Sequence, residues 1–186
     1  MTYGSLPPEG YPASSKWLHW LVAALVLPAI AVGIYLPYAP PGPTQDGLFN
    51  AHKAFGMLIL ILMILRIVNR IAVGAPAPEP GIARWQKAVS SAVHGLHYVL
   101  LVVQPVVGYV ANSAFGANVP FFGLFDIPPI VEKNDALAER LFMAHRVIGI
   151  SIAVLAAMHI GAALQHFVIL RDGVLQRMLP RALGGR

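Results

Sequence analysis

The chain has 186 residues, of which 57% are hydrophobic and only 11% are charged, and this composition excludes an ordinary soluble domain. It contains no cysteine, which excludes disulfides and thiolate metal sites. The net charge of +5 is spread over residues that flank apolar runs and does not form one basic stripe, so the sequence does not predict nucleic-acid binding.

Four apolar segments follow one another along the chain, and each is long enough to cross a bilayer as a helix. They cover residues 16–38, 50–71, 88–112 and 140–170. The first segment lacks the basic region and cleavage site of a signal peptide, so we predict that it is a retained helix. The predicted fold is an all-α integral membrane protein, with a bundle of four transmembrane helices in one domain that spans residues 1–186.

Three features outside the four spans can also be predicted. Ser14 and Ser15 are predicted to cap the first helix. The longest loop, residues 113–138, is rich in phenylalanine and is expected to lie over one mouth of the bundle. Residues 171–186 alternate basic and apolar side chains, which is typical of a short helix on the membrane surface, in contact with lipid.

The distribution of lysine and arginine predicts the orientation, because cytoplasmic loops carry an excess of these residues. Nine of them belong to the side that holds both chain ends: Lys16, Arg66, Arg70, Arg84, Lys87, Arg171, Arg177, Arg181 and Arg186. The opposite side has four: Lys53, Lys133, Arg140 and Arg146. We therefore expect a multi-pass protein of the bacterial inner membrane with both termini in the cytoplasm.

Histidines at membrane depth are the main functional signal, since titratable side chains there usually face the bundle interior and mark a site. His145 and His159 are fourteen residues apart, so they lie ~21 Å apart along a helix and within ~40° of one face. His52 is expected in the first turns of its span, at the outer level of His145, while His19 is expected at the inner level of His159. Two pairs of imidazoles from different helices predict two b-type haems stacked across the membrane, bound without covalent attachment.

Other polar residues have open roles. His166 lies seven residues beyond His159 and is expected to contact a haem or a quinone, while His94 and His97 are either propionate contacts or interfacial residues. Arg66 lies fourteen residues after His52, at the inner level, where it either binds a haem propionate or anchors the helix at the membrane surface. Small residues in the spans allow helices or a macrocycle to approach closely. We predict such approach at Gly56, Gly108, Gly149, Ala156 and Gly161.

The segments KWLHWLV, NAHKAFGMLILILMILRIVNR, AHRVIGISIAVLAAMHIGAALQHF and RDGVLQRMLP resemble the bacterial dihaem cytochrome b561 family, whose members include superoxide oxidase. The resemblance covers all four spans and the tail. It implies that His19 and His159 bind the inner haem and that His52 and His145 bind the outer haem. It also implies electron exchange with ubiquinone and, at the outer face, oxidation of superoxide.

The expected function is therefore electron transfer across the inner membrane, between an outer donor and ubiquinone. Lys53 and Arg146 directly follow the outer histidines and are expected either to attract an anion such as superoxide or to hold propionates or lipid headgroups. One alternative is a cytochrome b subunit that accepts electrons from a partner dehydrogenase or hydrogenase. Another is a membrane transporter or scaffold without haem, whose histidines bind zinc or protons.

Overall fold

The computed structural model describes residues 10–185, and most of them are helical. Four long helices are separated by short connections, with a two-stranded hairpin before the last helix. The elements are α1 (Ala13–Tyr35, continued by a 3-10 turn at Leu36–Tyr38), α2 (Pro43–Val73), α3 (Arg84–Ala114), β1 (Val119–Phe121), β2 (Phe125–Ile127), α4 (Asp135–Gln165, continued by a π turn at His166–Leu170) and a final 3-10 turn (Arg181–Leu183).

All four predicted spans are present, and within the described residues four helices are long and apolar enough to cross a membrane. The α2, α3 and α4 helices begin four to seven residues before the predicted spans, because polar first turns continue each helix ahead of its apolar run. Pro43 occupies the start of α2, where its missing N–H is not needed. The side chain of Asn134 caps α4 by accepting a hydrogen bond from Leu137 N–H at 3.0 Å.

The start of α1 differs from the prediction. The helix begins at Ala13, after Pro12, and no side chain caps it, so the predicted serine cap is wrong. The Ser15 hydroxyl instead accepts a hydrogen bond from the Asn69 side chain of α2 at 2.8 Å, which ties the two helices together near their ends. Residues 1–9 and Arg186, which entered the domain and orientation predictions, lie outside the described residues.

Each helix packs mainly against its neighbour in the chain, and α4 reaches α1 only locally. A small apolar core lies between the helices and consists of Val22, Val26, Ile59, Met63, Leu101 and Ile152. Ile152 is seven residues from both His145 and His159, and Ile59 is seven residues from both His52 and Arg66. The core therefore separates two polar levels, as expected if water is excluded from the middle of the bundle.

The phenylalanine-rich loop forms a hairpin that the sequence did not predict. Strands β1 and β2 are antiparallel, and β1 packs against α2. Phe122, which has a left-handed backbone with φ of 53°, contacts the ring of Phe55 at a centroid distance of 5.4 Å. Asn112 at the end of α3 donates hydrogen bonds to the carbonyls of Ala117 and Asn118. We call this end of the bundle the hairpin side.

The opposite end, which holds the described chain ends, is the tail side. Residues 171–180 form turns and no α-helix, so the predicted surface helix is wrong. Two hydrogen bonds to its backbone carbonyls hold this segment in place. Tyr11 N–H donates to the Arg177 carbonyl, and the Trp20 indole donates to the Met178 carbonyl at 2.9 Å. The buried Arg177 side chain pairs with Glu79 in the connection between α2 and α3. The tail therefore closes over the bundle end.

Candidate functional site

The hairpin-side level brings together His52 of α2 and His145 of α4. Their ring centroids are 6.1 Å apart and the ring planes lie at 81° to each other. The two histidines are nine and ten residues from the starts of their helices, not in the first turns as predicted, because both helices begin earlier. The shift is nearly equal in α2 and α4, so the two residues still share one level.

The orientation of His145 is fixed by Gln104 of α3. Nδ1 of His145 donates to the Gln104 backbone carbonyl at 3.0 Å, and the Gln104 side-chain amide donates to the His145 carbonyl at 2.9 Å. With its proton held on Nδ1, a neutral imidazole has its lone pair on Nε2 and can bind a metal through that atom. Sequence reasoning missed Gln104, although an uncharged polar residue beside Pro105 in an apolar span was a usable signal.

Two glycines allow helices to approach these imidazoles. A Cβ atom at Gly108 of α3 would lie 2.7 Å from Cε1 of His145, and one at Gly33 of α1 would lie 3.2 Å from Cε1 of His52. Gly149 faces the Gln104 amide, where a Cβ would lie 3.0 Å from Nε2. The expected close approach is thus found at Gly108 and Gly149, whereas Gly56 and Gly161 face no heavy atom within 4 Å.

Replacing Gly108 with alanine is expected to disturb the hairpin-side level. The added methyl group cannot fit beside the His145 ring, so the ring must turn or α3 and α4 must separate, at a cost of about 1–3 kcal/mol. We expect lower thermal stability and reduced haem content by absorbance. Gly95→Ala on the same helix is the control because a Cβ there meets open space. Equal haem content in both variants would contradict this account.

The tail-side level contains a larger group of imidazoles. His19 of α1 and His159 of α4 have ring centroids 6.1 Å apart, the same separation as the other pair. His94 and His97 of α3 also contact His159, at 5.2 Å and 5.7 Å. His97 donates through Nδ1 to the Val93 carbonyl at 2.8 Å, and His94 lies 3.3 Å from the Ser90 hydroxyl.

Arg66 reaches the same level from α2. Its Nη2 lies 3.0 Å from Nδ1 of His19, and its guanidinium carbon lies 5.1 Å from the centre of the Tyr98 ring. A guanidinium can only donate, so Nδ1 of His19 accepts this hydrogen bond. Arg66 therefore contacts a histidine of the tail-side level. This contact agrees with the prediction that Arg66 lies at the same level as His19 and His159.

The ring separations fit an iron atom between each pair. Metal–imidazole bonds are about 2 Å long, so two rings on opposite sides of one iron have centroids roughly 6 Å apart. The 6.1 Å separations of His19 with His159 and of His52 with His145 agree with this value. His94 and His97 lie closer to His159 than that arrangement requires. Their contacts suit side chains that pack against a ligand.

His166 is not part of either level. It pairs with Asp172 at a distance of 2.5 Å between Nδ1 and the carboxylate, at the end of α4. In residues 10–185, no group of three or more histidine, aspartate or glutamate side chains is arranged to hold a metal ion directly. The assignment of the four paired histidines as haem ligands stays a prediction, and the structure places them in two matched pairs.

Comparison with known proteins identifies the family. The family model described as prokaryotic cytochrome b561 matches residues 10–181. The chain is 30% identical to cytochrome b561 homolog 2 of Escherichia coli (strain K12) over 179 residues, which cover 94% of both chains. It is 29% identical to the probable superoxide oxidase CybB of Yersinia pestis, over 90% of this chain and 94% of that protein. It is 28% identical to cytochrome b562 of Cereibacter sphaeroides, over 92% and 97% of the two chains.

These matches extend over the whole helical bundle, including both histidine levels and most of the tail. They agree with the family resemblance that the histidine spacing and the apolar segments indicated. The chain therefore belongs to the prokaryotic cytochrome b561 family of bacterial membrane proteins, which transfer electrons through haem b.

Proposed function

We propose that this protein is a dihaem b-type cytochrome that carries electrons across the inner membrane from a donor on the hairpin side to ubiquinone. The observation that carries the proposal is the pair of histidine levels with equal ring separations of 6.1 Å, one toward each end of the bundle. In each pair one histidine comes from α4, and its partner comes from α1 or α2. The fourteen residues between His145 and His159 set the two levels ~21 Å apart along α4.

The proposed ligands are His52 and His145 at the hairpin side and His19 and His159 at the tail side. Each pair of imidazoles would hold one haem iron, and such a centre would supply the exchange of single electrons. The Gln104 carbonyl holds His145 in the tautomer that leaves Nε2 free. The apolar core between the levels keeps water from the path between the two centres.

Arg66 is proposed to bind a haem propionate at the tail side. In the structure its guanidinium donates to Nδ1 of His19, which leaves the proton of a neutral ring on Nε2. If His19 held a haem iron through Nε2, its proton would lie on Nδ1, and Nδ1 would no longer accept from Arg66. The guanidinium would then be a half-buried cation at the level where a carboxylate of the cofactor needs one.

Superoxide is the proposed donor, and the name of the Yersinia pestis relative supports it. Each superoxide would give up one electron and leave as oxygen, so two are needed to reduce one ubiquinone with two protons. The whole hairpin side does not attract anions, because five carboxylates outnumber its four basic residues: Asp46, Asp126, Glu132, Asp135 and Glu139. Any attraction is therefore local to Lys53 and Arg146.

Replacing Lys53 and Arg146 with glutamine tests this local attraction. Lys53 Nζ lies 3.5 Å from the Asn118 carbonyl under the hairpin, and Arg146 is exposed. Attraction raises the encounter rate and fades with salt, because charges are screened over ~8 Å at physiological ionic strength. We expect each substitution to lower the second-order rate of haem reduction by superoxide several-fold at low salt, with little difference at high salt.

The matched control is Lys133→Gln, because Lys133 lies on the same side but is paired with Asp135 at 3.7 Å and is highly exposed. All variants must keep the absorbance spectrum of the parent protein. Rates that are unchanged by both substitutions and flat across the salt series would remove the steering hypothesis.

The exposed tip of the hairpin favours a second candidate, a cytochrome subunit that receives electrons from a partner protein. Leu124 is 78% exposed, and Phe125 and Ile130 are also exposed beside it. Apolar side chains beyond the ends of the helices suit a protein contact as well as a lipid contact. Purification from native membranes in mild detergent distinguishes the candidates, because a stoichiometric redox partner would favour the second.

Anaerobic stopped-flow absorbance tests the proposed function itself. The oxidised protein is mixed with potassium superoxide, and the reduced protein is mixed with ubiquinone-1 in a separate experiment. The proposal predicts rapid haem reduction in the first experiment and complete haem oxidation in the second. Haem that superoxide leaves oxidised would exclude this donor, and haem that ubiquinone-1 leaves reduced would exclude this acceptor.

A further inference from the structure

One turn of α3 presents a carbonyl and a glycine to the same imidazole of the hairpin-side level. Nδ1 of His145 donates to the backbone carbonyl of Gln104 at 3.0 Å. Gly108 lies four residues later, one turn further along the helix, and a Cβ atom there would lie 2.9 Å from the same Nδ1. The absence of a side chain at Gly108 thus lets the ring reach the Gln104 carbonyl. We call this arrangement a carbonyl–glycine turn.

Helix α1 presents a second carbonyl–glycine turn to the other imidazole of this level. Gly33 follows Ala29 by four residues, and a Cβ atom at Gly33 would lie 3.2 Å from Cε1 and 3.8 Å from Nδ1 of His52. The backbone carbonyl of Ala29 lies close enough to interact with the His52 ring. Nδ1 of His52 is buried and makes no hydrogen bond within residues 10–185. The Ala29 carbonyl is thus the acceptor within reach of this unpaired atom.

The tail-side level is built differently. Among the glycines that the structure describes, only Gly33 and Gly108 would bring a Cβ atom within 4 Å of a histidine. Nδ1 of His19 accepts a hydrogen bond from the guanidinium of Arg66, and His159 contacts other imidazole rings. Backbone carbonyls therefore face the imidazoles at the hairpin side, whereas a cation and further imidazoles face them at the tail side.

These two environments have opposite effects on an iron atom held by the imidazoles. A carbonyl that accepts from Nδ1 makes the ring a stronger electron donor, and a stronger donor stabilises oxidised iron, which lowers the midpoint potential. A nearby guanidinium favours reduced iron, which carries one positive charge less, so it raises the midpoint potential. A backbone carbonyl cannot ionise, so its effect does not depend on pH.

We propose that Gly33 and Gly108 are positioning residues, each of which brings the carbonyl four residues before it to a histidine of the hairpin-side level. The two carbonyls would give the haem at this level the lower midpoint potential. This inference rests on the proposed function, which supplies the two haems. One electron would then pass downhill from the hairpin side, which is oxidised, to the tail side, which is reduced, without a proton or a further reactant.

This direction suits the predicted orientation. With the tail side in the cytoplasm, as the basic residues predict, an electron that crosses from the hairpin side moves against a membrane potential that is negative inside. A higher midpoint potential at the tail side offsets part of that opposing field. The carbonyl–glycine turns would thus help to set the direction of electron transfer.

Redox titration of the purified, haem-loaded protein, followed by absorbance, tests the order of the potentials. The parent protein should show two midpoint potentials. His52→Ala, which is expected to keep the tail-side haem, should retain the higher one, and His19→Ala should retain the lower one. Equal potentials or the reverse order would overturn the inference. A parent protein that binds fewer than two haems would overturn the proposed function instead.

Alanine in place of Gly33 or Gly108 tests the glycines themselves. The added methyl group should push the imidazole away from its carbonyl, so the lower potential should rise while the higher one stays. We expect the reduced-to-oxidised ratio of the hairpin-side haem at a fixed potential to increase several-fold, where ten-fold corresponds to 59 mV for one electron. The shift should be larger in Gly108→Ala, because the added Cβ would lie 2.7 Å from the nearest ring atom, against 3.2 Å for Gly33→Ala.

Gly95→Ala is the matched control, because a Cβ atom there meets open space, and both potentials should stay unchanged. Gly33→Ala is the milder of the two test variants, so it provides the titration if Gly108→Ala loses its hairpin-side haem. If the haem that remains at the hairpin side of Gly33→Ala keeps the potential of the parent protein, the glycine only makes room for the ring. That result would show that the positioning role is wrong.

Discussion

Alanine in place of His52 or His145 is expected to remove one haem and leave the other intact. The two rings are the only part of the hairpin-side level that offers two imidazoles at the 6.1 Å separation in the described structure. Without either ring, a haem at this level would be held by one imidazole only, and it would be readily lost from a detergent-solubilised bundle. The measurement is the haem-to-protein ratio, which should fall from two to about one in both variants.

A matched substitution separates ligand loss from loss of packing. Phe55 lies three residues after His52 and packs on Phe122 of the hairpin, so Phe55→Ala removes apolar contacts at the same level but no imidazole. This variant should keep two haems. Two haems retained in both His52→Ala and His145→Ala would show that these residues are not the axial pair.

Alanine substitutions in the tail-side level should also remove one haem, but only at two of the four histidines there. His159 contacts three imidazoles, and only one of them would hold a haem iron together with it. The 6.1 Å separation from His19 equals that of the hairpin-side pair, whereas His94 and His97 lie closer to His159, at 5.2 Å and 5.7 Å. We therefore expect His19→Ala and His159→Ala to lose one haem.

His94→Ala and His97→Ala should keep both haems and change the midpoint potential of one, because they alter the groups that pack on the His159 ring. Electron paramagnetic resonance of the oxidised protein distinguishes these outcomes, since each haem with two imidazoles gives its own low-spin signal. Loss of a signal in His97→Ala, or in His166→Ala with His159→Ala unaffected, would contradict the assignment of the tail-side ligands.

The four spans and the matched histidine levels could be predicted because both depend on local periodicity. A stretch of apolar residues predicts a helix across a membrane, and a step of fourteen residues in α4 places His145 and His159 on one face. The exact starts of α2 and α4 could not be predicted in this way. Their first turns are polar, and the apolar run that marks a span begins only after them.

Two of the features that sequence reasoning missed depend on contacts between distant parts of the chain. Gln104 is recognised as the partner of His145 only when α3 and α4 are placed side by side. The serine cap failed because Ser15 bonds to Asn69 of another helix. The pairing of His166 with Asp172 requires the π turn, which no periodicity in the sequence announces. Gln104 and Ser15 each bond to another helix, whereas the spacing of His145 and His159 could be predicted along a single helix.

The haem b content of the purified parent protein, measured as the pyridine haemochrome and divided by the protein concentration from amino-acid analysis, tests the central claim most directly. Two matched pairs of histidines at 6.1 Å predict two haem b per chain. A ratio of one in fully loaded protein, or a colourless protein, would contradict the account.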